Sequence, residues 1–133
     1  MEKPLRIGEE RCRYEWPFRS FLDSGATMAF GTDYPVVDFN PYPSVYAAVT
    51  RCNDDGTPAC INMQERISLA EALRAYTKGA AAAYGRNDVG VLKEGCLADI
   101  IVVNKNMFEL EPSEYLTCQT DLTMFDGKIV FER

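Results

Sequence analysis

The tripeptide Gly31-Thr32-Asp33 is where catalytic chemistry is easiest to place in this sequence. It follows a short apolar run, residues 26–30, whose composition predicts a strand buried on both faces. Ligands of β/α folds bind at the carboxyl ends of such strands, so Asp33 could bind a divalent metal or act as a general base. The alternative is that Asp33 only caps a turn before Pro35.

Other polar residues indicate a site less directly. Arg51 ends a predicted helix, where its charge complements the helix dipole, and a substrate contact is the second possibility. The segment Asp54-Asp55-Gly56 lacks the alternating oxygens of a calcium loop and predicts a solvated turn. The sequence contains no histidine, which excludes His-dependent nucleophiles and any His-ligated metal site built from this chain alone.

Composition limits the partners and the compartment that we expect. A length of 133 residues corresponds to about one domain. The net charge of −6, without a basic stripe, argues against nucleic acid and anionic membranes as partners. The five cysteines form no C-x-x-C pair, and no apolar run is long enough to span a membrane. We therefore expect reduced thiols in a cytoplasmic protein.

Breaker residues divide the first half of the chain into short elements. Pro17 suits the first turn of a helix that Gly25 ends, just before the apolar run. Ser44 is predicted to cap a short helix that reaches Arg51. The remaining segments predict no regular structure: an irregular start at 1–16, a loop with three prolines at 31–43, and a second loop at 52–67.

The second half begins with the clearest helix. Ser68 and Glu71 form a capping box, an apolar face follows at helical spacing, and Gly85 ends the helix. Gly79 and the alanines after it leave this helix thin, which predicts that another segment packs closely against it. Beyond Gly85 the pattern predicts a strand over 97–103 and a hairpin over 122–131 around Asp126-Gly127.

Several of these segments, taken in order, resemble the amidohydrolase superfamily, and within it the branch called amidohydrolase family three. The resemblance extends over about residues 14–132. It is carried by residues 17–35, 48–51, 68–77, 90–103 and 123–130. Each segment alone would be weak, but their ordered succession is specific.

The resemblance implies an α/β fold: the last β/α unit of a (β/α)8 TIM-type metallohydrolase barrel in residues 1–85, and C-terminal strands of a small β-sandwich (composite) domain in residues 86–133. It implies a metal-dependent hydrolase that cleaves C–N bonds of small amides or cyclic amides with a metal-activated water. Asp33 matches the Asp at the end of the eighth strand, which in the family is a metal ligand, a proton shuttle, or both. Tyr34 and Arg51 are expected near the substrate, and zinc is the metal expected in the full-length parent.

The departures from the family are equally informative. The family's His-x-His, middle-strand histidines and lysine are missing, and a complete barrel needs about 200 residues or more. Since zinc wants three protein donors, we expect an inactive C-terminal fragment that binds no metal by itself. Uncovered strands carrying Val102, Ile129 and Val130 predict a homo-oligomer or pairing with a missing N-terminal part. The alternative is a non-enzymatic binding or oligomerisation module derived from this fold.

Overall fold

The computed structural model describes residues 3–133. Residues 3–16 are not irregular as predicted, because two short helices occupy most of them and Gly8, with φ of 83°, separates the two. The remaining part of the predicted 1–16 segment, residues 1 and 2, lies outside the described residues. The helices of the first half are α1 (Lys3–Ile7), α2 (Glu9–Cys12), α3 (Phe18–Asp23) and α4 (Tyr42–Thr50).

The helix boundaries in this half follow the breaker residues with one exception. Helix α3 begins directly after Pro17 and is followed by Gly25, as predicted. The prediction that Ser44 caps the next helix is wrong, because α4 already begins at Tyr42. The Asn40 side chain accepts a hydrogen bond from the Tyr42 amide at 3.1 Å, so the polar group that serves this helix start lies upstream of Pro41.

The predicted buried strand at residues 26–30 is also wrong. A β-strand is defined by a hydrogen-bonded ladder with a second strand, and none of the described residues forms such a ladder with residues 26–30. The burial of residues 26–32, named here the 26–32 segment, nevertheless alternates: Met28 and Phe30 are half-buried, whereas Ala29 and Gly31 are exposed. The segment therefore has the period of a strand, with one side covered by the chain and the other side open.

The long helix after Ser68 is confirmed, with a widened middle. The Ser68 hydroxyl accepts from the Glu71 amide at 3.3 Å and the Glu71 carboxylate accepts from the Ser68 amide at 2.7 Å, which completes the capping box. The helix consists of α5 (Leu69–Arg74), a π-helical turn (Ala75–Gly79) and α6 (Ala80–Ala83). Gly85 follows with φ of 69°, the left-handed conformation that commonly ends a helix.

The C-terminal part contains a three-stranded antiparallel sheet, with strands β1 (Ile100–Val103), β2 (Thr120–Phe125) and β3 (Lys128–Glu132) in the order β1-β2-β3. The predicted hairpin is confirmed. Asp126 and Gly127 connect β2 to β3 with φ of 49° and 75°, the two positive values that a tight two-residue turn requires. The strand predicted over 97–103 is present but begins only at Ile100.

The hydrophobic core lies between α4, α5 and a 3₁₀ helix, Pro112–Thr117. The Tyr42 hydroxyl and the Thr120 hydroxyl lie 2.8 Å apart, which ties α4 to the start of β2. The core therefore draws on both predicted units, residues 1–85 and 86–133. Its buried members are Tyr42, Val45, Tyr46, Ala48, Ile67, Leu69, Ala72, Met107, Tyr115 and Cys118.

The sheet leaves apolar side chains in contact with solvent. Val102, Ile129 and Val130 are 49%, 54% and 61% exposed, which confirms the exposure expected for them. All five cysteines are free thiols, as the cysteine spacing predicted. Within residues 3–133, no helix combines the length and the apolar character needed to cross a membrane.

Candidate active site

Asp33 lies directly after the 26–32 segment, at the start of a tight turn. Its backbone has φ of 53°, and its carbonyl accepts a hydrogen bond from the Val36 amide at 2.8 Å. Asp and Asn tolerate this left-handed conformation better than most residues. The Asp33 side chain is exposed, and no described residue donates a hydrogen bond to its carboxylate. The carboxylate is therefore open to a ligand or a water molecule.

Aromatic packing holds the segment that leads to Asp33. The Phe30 ring lies between two others, with its centroid 5.0 Å from that of Phe18 and 5.5 Å from that of Tyr76. The Phe30 amide also donates to the Ala75 carbonyl at 3.0 Å. These contacts come from α3, which precedes the segment in the sequence, and from the π-helical turn, which follows it. The segment is therefore held in place by both.

A concavity of about 1020 Å³ opens on this part of the molecule. Its lining is mainly apolar, and its charged lining residues are Glu15, Asp33 and Arg51. Val36, which follows Asp33 in the loop, contributes to the same wall. Apolar concavities with a few polar groups are the usual form of small-molecule sites. The geometry thus places Asp33 at a surface that could receive a substrate.

Arg51 lines this concavity but uses its guanidinium inside the chain. The side chain is buried, and its Nη2 donates to the Glu15 carbonyl at 2.9 Å and to Asn62 Oδ1 at 2.7 Å. Its guanidinium carbon lies 5.4 Å above the Phe18 ring, a cation–π distance. Its Nε is buried without a hydrogen-bond partner. Arg51 thus braces the Phe18 ring on which Phe30 rests.

Tyr34 occupies a different position from the other two candidate residues. It is 67% exposed, and its ring meets that of Phe39 edge-on at 6.1 Å. It is not among the residues that line the concavity. The structure therefore brings Asp33 and Arg51 to one surface and places Tyr34 on the outside of the loop that follows.

Two buried polar residues support the site and have no counterpart in the sequence interpretation. Asn62 is fully buried and donates to the Arg13 and Glu15 carbonyls. Glu65 accepts from the Ser20 amide at 2.9 Å and from the Ser20 hydroxyl at 2.6 Å. Burial acts to raise the pKa of Glu65, but these hydrogen bonds outweigh it, and the pKa is lowered. No local pattern could have revealed either residue, because Ser20 lies 45 positions from Glu65, and the Arg13 and Glu15 carbonyls lie 49 and 47 positions from Asn62.

The described residues do not by themselves fit a metal. Within residues 3–133, no group of three or more His, Cys, Asp or Glu side chains is placed to hold one. Asp33 offers one carboxylate, whereas zinc needs three protein donors in a catalytic site. Within this part of the chain, Asp33 is therefore a single carboxylate, and the other ligands that a zinc centre needs are not placed beside it.

Comparison with known proteins decides the family. The family model of the amidohydrolases matches residues 4–131. The chain belongs to the amidohydrolase family. This confirms the resemblance drawn from the sequence, since nearly all of the described chain takes part in the match.

Curated relatives agree with this membership. Over 128 residues the chain is 36% identical to Protein LONG AFTER FAR-RED 3 of Arabidopsis thaliana, a match that covers 95% of this chain and 22% of that protein. Over 119 residues it is 30% identical to N-substituted formamide deformylase of Arthrobacter pascens, covering 89% of this chain and 22% of that enzyme. The chain thus spans somewhat under a quarter of the length of these two relatives.

Solved structures of amidohydrolases share the fold. Atrazine chlorohydrolase TrzN of Arthrobacter aurescens TC1, solved with zinc, matches with a TM-score of 0.63 and 28% identity over 87% of this chain and 27% of that chain. An amidohydrolase of Thermotoga maritima MSB8 matches with a TM-score of 0.64 at 20% identity, covering 89% of this chain and 26% of that chain. The latter is a likeness of fold alone. This chain therefore has the fold of part of an amidohydrolase.

Proposed function

We propose that this chain supplies the C-terminal part of a metal-dependent amidohydrolase that hydrolyses C–N bonds of small amides or cyclic amides. Residues 1–85 would provide the last β/α unit of the (β/α)8 barrel, and residues 86–133 would provide strands of the composite β-sandwich. Family membership supports the hydrolase assignment. The partial coverage of the relatives supports a role within a larger catalytic unit.

The observation that carries this proposal is the position of Asp33. Its unpartnered carboxylate follows a segment with strand-like alternation and lies at an apolar concavity. A carboxylate in such a place can accept a proton from water and return it to a leaving nitrogen, which is the role we assign to Asp33. The use of zinc by TrzN supports a metal in the complete enzyme, where other residues would have to supply most of the ligands.

A test of the parent assignment is the coding sequence upstream of Met1. An in-frame His-x-His strand and a middle-strand lysine would support the enzyme, and their absence would favour the module described below. The purified chain alone is expected to lose zinc on dialysis and to hydrolyse no amide. Retention of stoichiometric zinc together with turnover would overturn the proposal, because one carboxylate should neither retain zinc nor support catalysis.

Substitution tests the role of Asp33 in an enzyme that contains this chain. Asp33→Asn removes the proton acceptor at nearly constant volume, so kcat/KM should fall about 100-fold or more. Asp38→Asn is the matched control, since Asp38 is an exposed carboxylate of the same loop that does not line the concavity. It should leave turnover unchanged. Turnover of Asp33→Asn within a factor of ten of the parent enzyme would contradict the assigned role.

The exposed sheet supports a second candidate, a non-enzymatic binding or oligomerisation module. Val102, Ile129 and Val130 present apolar surface that a partner would cover. Under the enzyme proposal the partner is the remaining part of the hydrolase, and under the module proposal it is another chain. Size exclusion coupled to light scattering measures whether the purified chain self-associates, and binding of an apolar dye measures whether apolar surface is exposed. A stable monomer that binds no apolar dye would contradict both proposals.

A further inference from the structure

The helix that follows Ser68 changes its winding where it meets the 26–32 segment. In the π-helical turn Ala75–Gly79, the Ala80 amide donates to the Ala75 carbonyl five residues earlier. The same carbonyl accepts a second hydrogen bond from the Phe30 amide at 3.0 Å. Single π turns inside α-helices often occur at functional sites.

Gly79 ends this turn and is pressed against the neighbouring backbone. A Cβ atom built on Gly79 would lie 1.9 Å from the Met28 carbonyl oxygen and 3.1 Å from its carbon. Both atoms are backbone, so they cannot rotate away as a flexible side chain could. Only glycine therefore allows the helix and the 26–32 segment to approach this closely.

The contacts on the 26–32 segment alternate along it and come from the helix. Gly79 abuts Met28, the Ala75 carbonyl holds the Phe30 amide, and the Tyr76 ring packs on the Phe30 ring. All three belong to the π-helical turn. Asp33 lies three residues beyond Phe30, so a shift of the segment along or away from the helix would displace its carboxylate.

We infer that Gly79 is a positioning residue, which fixes the 26–32 segment on the π-helical turn and thereby sets the place of the Asp33 carboxylate. The positioning is a property of this chain and can be measured in it. Only its catalytic meaning rests on the proposed function. A glycine in a helix interior is otherwise unfavourable, which is consistent with a packing requirement at this position.

Hydrogen exchange followed by NMR tests the inference in the chain as it exists. In Gly79→Ala the added methyl group must push the Met28 carbonyl away, so exchange of the Phe30 amide should accelerate at least tenfold. The side-chain carboxyl carbon of Asp33 should change its chemical shift. Unchanged exchange and an unchanged Asp33 resonance in this variant would overturn the inference.

Two control variants separate positioning from general loss of stability. Lys78→Ala changes an exposed neighbour of Gly79 in the same turn and should alter neither measurement. Met107→Ala removes a buried core side chain that belongs neither to the π-helical turn nor to the 26–32 segment, so we expect it to lower stability. If Met107→Ala moved the Asp33 resonance as much as Gly79→Ala does, the effect would be global and the inference wrong.

The unsubstituted chain gives a test that does not depend on folding of any variant. The Phe30 amide should exchange at least tenfold more slowly than those of Ala29 and Gly31, which lie on the open side. Equal rates for the three amides would overturn the inference. In an active enzyme containing the chain, Gly79→Ala should lower kcat more than it changes KM, whereas an inactive parent would count only against the proposed function.

Discussion

Replacement of Asn62 by alanine should be among the most damaging single changes to this chain. Asn62 is completely buried, accepts a hydrogen bond from Arg51 Nη2 at 2.7 Å, and donates to the carbonyls of Arg13 and Glu15. A neutral buried hydrogen bond contributes about 1 kcal/mol and one to a charged group about 1.5–3 kcal/mol. Asn62→Ala should therefore lower the free energy of unfolding by about 3–5 kcal/mol.

The structure gives two reasons to expect a loss of stability at the upper end of the range for single substitutions. The Arg51 guanidinium has no partner for its buried Nε, so removal of Asn62 leaves a buried charge with still fewer hydrogen bonds. The backbone carbonyls that Asn62 satisfies belong to the segment before α3, so Asn62→Ala also removes two hydrogen bonds that connect this segment to residue 62. We expect this segment to loosen in the variant.

Urea denaturation measures the effect, with fluorescence of Trp16 and far-ultraviolet circular dichroism as two probes. Trp16 is the single tryptophan and immediately follows Glu15, so it reports on the tethered segment. A loss of about 3 kcal/mol moves the urea midpoint by roughly 1–3 M for a slope of about 1–3 kcal/mol per molar. The control is Asn87→Ala, an exposed asparagine whose removal should change stability by no more than about 0.5 kcal/mol. A loss below about 1 kcal/mol for Asn62→Ala would refute the reasoning.

Two further predictions concern a surface ion pair and a turn. Arg19 donates to the Glu71 carboxylate and, together with hydrogen bonds from Ser68, lowers the Glu71 pKa to about 2. The stability from these interactions is therefore present above about pH 4.5 and is lost as the pH falls toward 2. Because both side chains are about one-third exposed, the loss should be only about 1 kcal/mol. Unfolding at pH 6 and pH 3 measures it, and Glu71→Gln should show a smaller difference; an equal difference would contradict the assignment. Gly127→Ala should cost about 1 kcal/mol and lower the melting temperature by roughly 3–5 °C, since its φ is 75°, and an unchanged melting temperature would show that the turn relaxes freely.

Local sequence patterns predicted the elements that are stabilised by residues close to one another in the sequence. The capping box of Ser68 and Glu71 and the turn at Asp126-Gly127 are each made by residues close in sequence, and both are present in the structure. The closeness of another segment to the helix at Gly79 was also predictable, because glycine and alanines leave little side chain on that face. The identity of that segment was not, since it depends on how the chain folds back.

One prediction fails because it concerns contacts between residues that are far apart in the sequence. The apolar run at 26–30 has a strand composition, yet a strand needs a ladder that no described residue supplies. Arg51 ends α4 as predicted, but its place at the helix end does not reveal that its guanidinium is buried and reaches Glu15, 36 positions away. Composition shows whether such residues are apolar or charged, but not which residues they contact.

The sequence predicts where the candidate site lies but not which contacts hold it in place. Asp33 was singled out because it follows an apolar run, and its outcome as a catalytic residue stays a prediction. The groups that hold the preceding segment in place, the Ala75 carbonyl and the Phe18 and Tyr76 rings, come from other elements. A backbone carbonyl that accepts a second hydrogen bond at a π turn leaves no trace in the residue types.

The open side of the 26–32 segment explains how this chain can shape one wall of a site without completing it. Met28 and Phe30 are held on the helix side, while Ala29, Gly31 and Asp33 face away from those contacts and are exposed. Any strand that paired with the segment would add ladder hydrogen bonds and slow exchange of the amides at 29 and 31. Exchange at Phe30 therefore measures how firmly this chain holds Asp33, and exchange at its two neighbours measures whether a partner has closed the other side.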